Sequence, residues 1–442
     1  MKKVLVFLAA AGAWGQDLSL RDAVRLALRE NRAVAAASEG VRAAEARIEQ
    51  ARGGKLPKVN YTESFTRGDN PVYVFSSLLT EHQFGESNFG IGPLNRPDAL
   101  NNFQSQMTFD QTLYDGGQAR HAVKAAGLGR DLSEEEARRV RMETIAAAAR
   151  AYYDAVLAGE SLRTAEQAVR SAEADLRRAE AVRAAGLSTD VDVLSIRVHL
   201  AGVAEQRIRR AAELDVARAA LNDALGLPLD TPHTLTTALK PADLPDLPLD
   251  ALERDAGQQR PETRQTRLAT TLARTEEDAA RVSLWPQVSF HTAFETDRQG
   301  FVTRGGANWL AGVSMRWNLF NGGSDKARVA EAGYAERRAQ ADAQRADSAV
   351  RLQVRRASAD LRAAEQRIEV AQAAVAEAEE SLRITQNRYE AGMSNVTDLL
   401  RTETAVLESQ TRYLAAVHDQ RVAALMVEFA AGRLAAESEV LN

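Results

Sequence analysis

The sequence predicts a mainly α-helical chain, internally duplicated into long coiled-coil helices, with a smaller β-barrel portion that one copy cannot close alone. Three observations carry this. Two motif sets recur at a fixed offset of 206 residues. Proline is absent from Asp98 to Leu227 and from Gln287 onward, leaving room for very long helices. Sixteen of the 24 aromatic residues fall within 61–114 and 285–320, where the apolar period changes to two.

The 442 residues carry 56 basic and 61 acidic side chains, net −5, so there is no global electrostatic case for a nucleic-acid partner. With no Cys, disulfides, thiolate metal sites and cysteine nucleophiles are excluded. The chain opens with Met1-Lys2-Lys3, an apolar run from Val4 to Ala13, and small residues at Ala13 and Gly15 before Gln16-Asp17. That is the pattern of a secretory signal over 1–15, and the chain is expected to be exported. After it, no run approaches the roughly 18 apolar residues of a membrane-crossing helix.

The first repeat is expected over 16–226 and the second over 249–432. Leu113-Tyr-Asp-Gly-Gly117 matches Leu319-Phe-Asn-Gly-Gly323, Ala185-Gly186 matches Ala391-Gly392, and Asp192-Val-Leu194 matches Asp398-Leu-Leu400. Ala224-Leu-Gly226 likewise matches Ala430-Ala-Gly432. Upstream, Lys55-Leu-Pro57 matches Leu284-Trp-Pro286 at an offset of 229, so the first repeat holds a 23-residue insertion. Five of the eleven prolines (Pro228, Pro232, Pro241, Pro245, Pro248) mark a linker over 227–248, and 433–442 is left as a tail.

Helices are predicted by more than missing proline. Leu361, Ile368, Val375, Leu382 and Tyr389 recur every seven residues, with Ala364, Ala371 and Ala378 on a companion seam. Leu162, Val169 and Leu176, with Ala158, Ala165, Ala172 and Ala179, repeat the pattern in the first half. A sustained heptad implies left-handed coiled-coil packing, and alanine on one seam lets helices approach closely. A continuous helix between Gly117 and Gly186 would be roughly 100 Å long.

Hairpins are expected at about 57–115 and 286–320. Phe103, Ser105, Met107, Phe109, Gln111 and Leu113 alternate with Gln104, Gln106, Thr108, Asp110 and Thr112. Ala311, Val313, Met315, Trp317 and Leu319 alternate with Gly312, Ser314, Arg316 and Asn318. Val59, Tyr61 and Phe65, and Val288, Phe290 and Phe294, give weaker matching strands. Strands of about ten residues with one apolar face suit a bilayer when tilted. Open edges are untenable in lipid, and four strands enclose no usable lumen, so several chains would have to share one barrel. The alternative that these patterns also fit is an exported periplasmic coiled-coil scaffold with a soluble β head.

The stretch Leu18-Ser-Leu-Arg-Asp-Ala-Val-Arg-Leu-Ala-Leu-Arg-Glu-Asn31 resembles the first helix of TolC-like outer membrane efflux proteins. So do the two Gly-Gly motifs and Arg388-Tyr-Glu-Ala-Gly392-Met-Ser-Asn-Val-Thr-Asp398-Leu-Leu400, over essentially the whole chain after the signal. The resemblance implies a homotrimer in which each chain gives four strands to a twelve-stranded transmembrane barrel above a periplasmic helical tunnel. It implies a passive exit duct of a tripartite efflux or type I secretion system, opened at its periplasmic end by docking. The implied partners are outer membrane lipid, a periplasmic adaptor (membrane fusion) protein, and an inner-membrane pump or ABC transporter. The inserted segment, Asn70–Leu100, would then be a long surface loop outside the cell.

Two helix–turn–helix tips hold the candidate site. Thr189-x-x-Asp192 and Asn395-x-x-Asp398 read as helix caps with a carboxylate at the helix N-terminus. By resemblance, Asp192 and Asp398 also match the periplasmic gate, with Asp190 and Arg401 beside them, and threefold symmetry would make carboxylate rings that attract cations. Arg401 stands where a second acidic residue is common, so a double-aspartate gate is not implied. Gly186, Leu187, Gly392 and Met393 match adaptor-contact tips, although C-caps need glycine anyway.

Other constellations are weak. His82, His121, His199, His233, His291 and His418 show no metal-ligand spacing and read as surface or loop residues. Gly53-Gly54-Lys55 lacks the rest of a phosphate loop, and Glu134-Glu-Glu136 with Arg138-Arg139 reads as a solvated helix face. Asn395-Val-Thr397 fits a glycosylation sequon by coincidence. No nucleophile–base set emerges, and no enzyme, cofactor or metal is expected.

Overall fold

A computed structural model describes residues 16–185, 189–243, 248–303 and 305–441. The predicted signal segment lies outside the described residues. The first repeat runs β1 (Gln16–Leu18), α1 (Leu20–Glu30), α2 (Arg32–Gly53), β2 (Lys58–Gly68), α3 (Pro71–Thr80), α4 (Ile91–Asn95), β3 (Leu100–Tyr114), α5 (Gln118–Ala184) and α6 (Asp190–Leu225). After β4 (His233–Leu235), the second runs α7 (Leu249–Gln259), α8 (Pro261–Val282), β5 (Gln287–Arg298), β6 (Gly306–Arg316), α9 (Ser324–Glu390) and α10 (Val396–Ala430). The two longest helices, α5 and α9, have 67 residues each. No helix among the described residues is long and apolar enough to cross a membrane.

The chain divides into two compact units. One comprises the chain up to Val41, Ser133–Arg267 and Asp342 onward; the other comprises Arg42–Leu132 and Leu268–Ala341.

The helical unit is built on the duplication. In the first repeat Leu20, Ala23, Val24 and Ala27 of α1 pack with Ile145, Ala148, Tyr152 and Tyr153 of α5 and Leu221 and Leu225 of α6. In the second, Leu252 and Ala256 of α7 pack with Val350, Val354 and Ala357 of α9 and Val427 and Ala430 of α10. The buried Tyr152 hydroxyl ties the β1–β4 pair to this core, donating to the Leu18 carbonyl at 2.8 Å and accepting from Thr237 N at 2.9 Å. Along α5, the alanine seam is the buried one. Ala165, Ala172 and Ala179 are 0–2% exposed, whereas Leu162, Val169 and Leu176 are only half-buried. In this helix small side chains form the intrachain seam and leave the larger apolar ones partly free, whereas in α9 Ile368 is itself buried.

Two sequence readings are corrected here. Glu134 is exposed, but Glu135 and Glu136 face α8 rather than open solvent: Glu135 pairs with Arg264 of α8 at 3.2 Å, and Glu136 accepts from Gln265 at 3.0 Å. The histidines are not confined to surface and loop. His121, His199 and His418 lie on helices, His233 and His291 on strands. His418 bridges Asp154 of α5 (2.7 Å) and Asp419 (3.3 Å); burial alone would lower its pKa, but the two carboxylates outweigh it and raise it.

The other unit centres on one antiparallel four-stranded sheet of order β2-β3-β5-β6. The register aligns Val59, Phe109, Thr292 and Ala311 in one row, and Tyr61, Met107, Phe294 and Trp309 in the next. A polar row of Glu63, Ser105 and Thr296 interrupts that face before Phe65 and Phe103 at its outer end, and Phe290 and Val313 extend it toward the helices. The opposite face carries Asn60, Thr108, Ala293 and the exposed Leu310, then Thr62, Gln106, Glu295 and Asn308, with Lys58, Asp110 and His291 nearer the helices. Apolar side chains on the first face are exposed, Tyr61 at 64% and Trp309 at 77%. Both edge strands, β2 and β6, lack a partner on one side.

Sequence alternation misplaced two details. A bulge between Thr112 and Tyr114 sets Tyr114, not Leu113, opposite Val288. Strand β6 stops at Arg316, so Trp317 and Leu319 lie beyond it, Trp317 Nε1 donating to the Leu284 carbonyl at 3.2 Å. The Asp and Asn of the Gly-Gly motifs have a local purpose. Asp115 accepts from the amides of Gly117 and Ala119 (2.8 and 2.7 Å), and Asn321 accepts from Asp325 N (3.3 Å), starting each long helix.

The inserted segment, expected as a surface loop, is largely helical. Asn70 caps α3, accepting from the amides of Val72 and Tyr73, and Pro71 occupies the first turn, where its missing N–H leaves no bond unmade.

Candidate functional site

Both helix–turn–helix tips lie in the helical unit, and they pack on one another. Ala179 of α5, Val193 and Ile196 of α6, and Val396 of α10 form one buried cluster, flanked by Leu176, Tyr389 and Leu400. Arg178 of α5 pairs with Glu390 of α9 at 2.7 Å, and Arg197 of α6 with Glu180 of α5 at 2.7 Å. The two repeats are thus cross-linked by charge around an apolar plug.

Each predicted carboxylate sits at a helix start. Thr189 and Asp192 form a reciprocal capping box: Asp192 Oδ2 accepts from Thr189 N at 3.1 Å, and Thr189 Oγ1 accepts from Asp192 N at 3.3 Å. Asn395 Oδ1 accepts from Asp398 N at 2.8 Å, and Ser394 Oγ donates to Asp398 Oδ2 at 3.4 Å. Asp190 closes its turn through Arg183 at 2.9 Å. Arg401 lies 3.9 Å from Asp398 on the same helix, so the carboxylate carries its own exposed counter-charge. The tip residues Gly392 (φ +69°) and Met393 are exposed; Gly186 and Leu187 lie outside the described residues.

Sequence reasoning missed two features. Val191, Leu194 and Val198 are 68%, 56% and 74% exposed, an i, i+3, i+7 stripe on α6 facing away from the chain's own core. Behind the tips, α5, α6 and α10 meet around a polar cluster. Asp175 is 6% exposed and hydrogen-bonded to Glu403, which His199 approaches at 3.4 Å and Ser171 Oγ at 3.5 Å. The signal was there to read: Asp175 occupies the heptad position held by Ala168 and Val182.

Burial, then the bond and charge of Glu403, push the Asp175 carboxyl up to about 7. Burial pulls Glu403 the same way, but the bonds from His199 and Asp175 prevail and hold it below its usual range. The pair therefore keeps one proton. Because Asp175 binds it more tightly folded than unfolded, its contribution to stability is complete below the unfolded value of about 4 and is lost as pH rises through about 7. Glu403 runs the other way, its contribution disappearing as pH falls through its lowered value. Asp175→Asn is expected to raise the thermal midpoint at pH 8 and leave it little changed near pH 4, where the carboxyl is protonated folded and unfolded alike. Thermal unfolding of the detergent-solubilised protein at both pH values checks this, and equal shifts at both would contradict it.

Comparison with known proteins gives a consistent picture. The model of a family described as outer membrane efflux protein matches residues 23–227 and 252–433, one block per repeat. Protein CyaE of Bordetella pertussis is 28% identical over 426 residues, covering 95% of this chain and 85% of that protein. A membrane protein from Pseudomonas aeruginosa has a similar fold (TM-score 0.80, 20% identity, 94% of each chain covered). So does the Campylobacter jejuni CmeC outer membrane channel (TM-score 0.80, 18% identity, 95% of this chain and 87% of that one).

Proposed function

Because this chain belongs to the outer membrane efflux protein family, we propose that three copies close their sheets into one twelve-stranded barrel, forming a passive exit duct whose inner end is the cluster of helix tips. The chain is an outer-membrane channel subunit, mainly helical with a barrel portion, and the helical part stands in the periplasm.

The observation that best supports the trimer is the sheet. Its exposed apolar face suits lipid, its polar face suits a water-filled lumen, and its two open edges cannot remain unpaired in a bilayer. The apolar stripe of Val191, Leu194 and Val198 supports it independently, since a neighbouring copy would cover it. Soluble heads need no exposed aromatic face, which disfavours the scaffold reading.

Within the trimer Asp192 and Asp398 line the inner aperture, Asp398 partly neutralised by Arg401. The exposed Met393 and its turn, with Gly392 and the Gly186-Leu187 tip, form the adaptor contact. A periplasmic adaptor engaging both tips would separate the two repeats and so widen the aperture, delivering cargo from an inner-membrane pump or ABC transporter.

Replacing Asp192 and Asp398 together by alanine is expected to raise single-channel conductance in planar bilayers by about twofold or more and to abolish block by multivalent cations. Conductance and block both unchanged would remove the carboxylates from the aperture. Purification of a non-conducting monomer from outer membranes would remove the trimeric duct altogether.

A further inference from the structure

The inserted helix α3 does not stand away from the sheet. It follows the end of β2, at the strand ends remote from α2 and α5, and then turns back across the polar face. Its Val74, Ser77 and the following Glu81 are 6%, 4% and 2% exposed, packed toward the strands. Tyr73 donates its hydroxyl proton to the Thr66 carbonyl at 2.9 Å, and Asn308 Nδ2 donates to the Thr80 carbonyl at 3.0 Å. Asn308 is a polar-face residue, in register with Glu295. Gly306 permits the approach: a Cβ there would lie 1.9 Å from the Thr80 carbonyl oxygen. At the joint, Gln299 Nε2 donates to Glu81 at 2.8 Å and Asn102 Nδ2 donates to Asp297 at 2.7 Å, so two carboxylates are sealed beneath the helix end.

The opposite side of α3 is apolar, with Val72 and Leu79 open and Phe75 edge-on to Phe84 at 4.7 Å. Val72, Phe75 and Leu79, at i, i+3 and i+7, are 78%, 37% and 48% exposed. On the lumen side of a barrel this stripe cannot reach lipid. Its C-terminal end lies beside β6, whose free edge a neighbouring copy would pair with in the closed barrel. Apolar stripes of this kind mark a protein contact rather than a water-filled wall.

We propose that α3 is an inward-folded cap: the Val72–Phe75–Leu79 stripe meets the same stripe of the neighbouring copies over the barrel axis and constricts the outer mouth. This rests on the trimeric-barrel reading above, with the polar face lining the lumen. It gives the duct a second narrowing, at the end opposite the helix tips, formed by a segment that has no counterpart in the second repeat.

The cysteine-free chain makes the test direct. Val72→Cys and, separately, Leu79→Cys channels are treated with a flexible bis-maleimide in outer membranes, then examined by denaturing electrophoresis and in planar bilayers. Covalently joined copies are expected, with conductance lowered by the cross-link. A Val72→Asp/Leu79→Asp double variant, whose stripes repel, is expected to conduct more than the native channel, with or without multivalent cations. A trimer by native mass spectrometry that neither cross-links nor changes conductance would overturn the cap while leaving the duct intact. A monomer by the same measurement would overturn both.

Discussion

Arginine at Met107 is expected to stop the chain from assembling in the outer membrane, whereas arginine at the next residue, Thr108, is expected to be tolerated. Met107 lies in a central strand between Tyr61 and Phe294, half exposed on the apolar face. Thr108 lies between Asn60 and Ala293 on the other face and accepts a bond from Asn60 Nδ2 at 3.4 Å. A cation on the lipid face near mid-bilayer costs about 2–4 kcal/mol, and a trimer would incur it three times. On the lumen face the same charge remains hydrated and instead shifts selectivity toward anions. Heat-sensitive oligomer on denaturing gels reports assembly, and reversal potentials in a salt gradient report selectivity. Equal tolerance at both positions would mean that the faces are wrongly assigned.

The second large effect is expected at a pair of glycines. Gly226 and Gly432, 206 residues apart, end α6 and α10 with φ of +79° and +76°. A Cβ on Gly226 would lie 2.7 Å from the Glu30 carbonyl oxygen and 2.9 Å from Asn31 Cα. On Gly432 it would lie 2.8 Å from Arg260 N. Asn31 and Arg260 are the hinges between α1 and α2 and between α7 and α8, and neither can step aside. Asn31 Nδ2 donates to the Ala224 carbonyl at 3.0 Å, and the 3%-exposed Arg260 donates to the Phe429 carbonyl at 3.0 Å. Left-handed backbone alone costs a non-glycine residue about 1–3 kcal/mol, and a clash with fixed backbone adds to that. Gly226→Ala and Gly432→Ala are each expected to cost about 3 kcal/mol or more, seen as a lowered thermal midpoint and loss of membrane-assembled protein. Gly202→Ala, in mid-helix with open space around it, is expected instead to stabilise by about 0.5–1 kcal/mol. A similar loss at Gly202 would show that helix composition, rather than the joints, is responsible.

These joints show what could be read before the structure. Ala224-Leu-Gly226 and Ala430-Ala-Gly432 were legible as repeat marks, because the same backbone turn needs the same residue twice. Their hinge partners were not, because Asn31 and Arg260 share a place in the fold but no chemistry. The strands were legible through Phe103, Met107 and Phe109, whose alternation follows from one face meeting an apolar phase. The bulge at Thr112–Tyr114 was hidden, since it depends on pairing with Val288 and leaves the local pattern plausible either way. Helix α3 was masked by its glycine- and proline-rich neighbours, which set the average for the segment although Asn70-Pro71 is a sound helix start. At the tips the capping role of Asp192 and Asp398 was local and therefore readable. The Asp175–Glu403 pair joins residues far apart in sequence, so only the packed helices bring it together.

The sheet's two open edges have a kinetic and thermodynamic corollary. A chain whose strands cannot close on themselves has no finished membrane-embedded state as a single copy, so insertion and oligomerisation become one equilibrium. On the proposed closure by three copies, the assembled amount scales with the third power of free subunit, so halving the free subunit lowers it roughly eightfold. Abundance, as much as sequence, then sets how many ducts a cell holds.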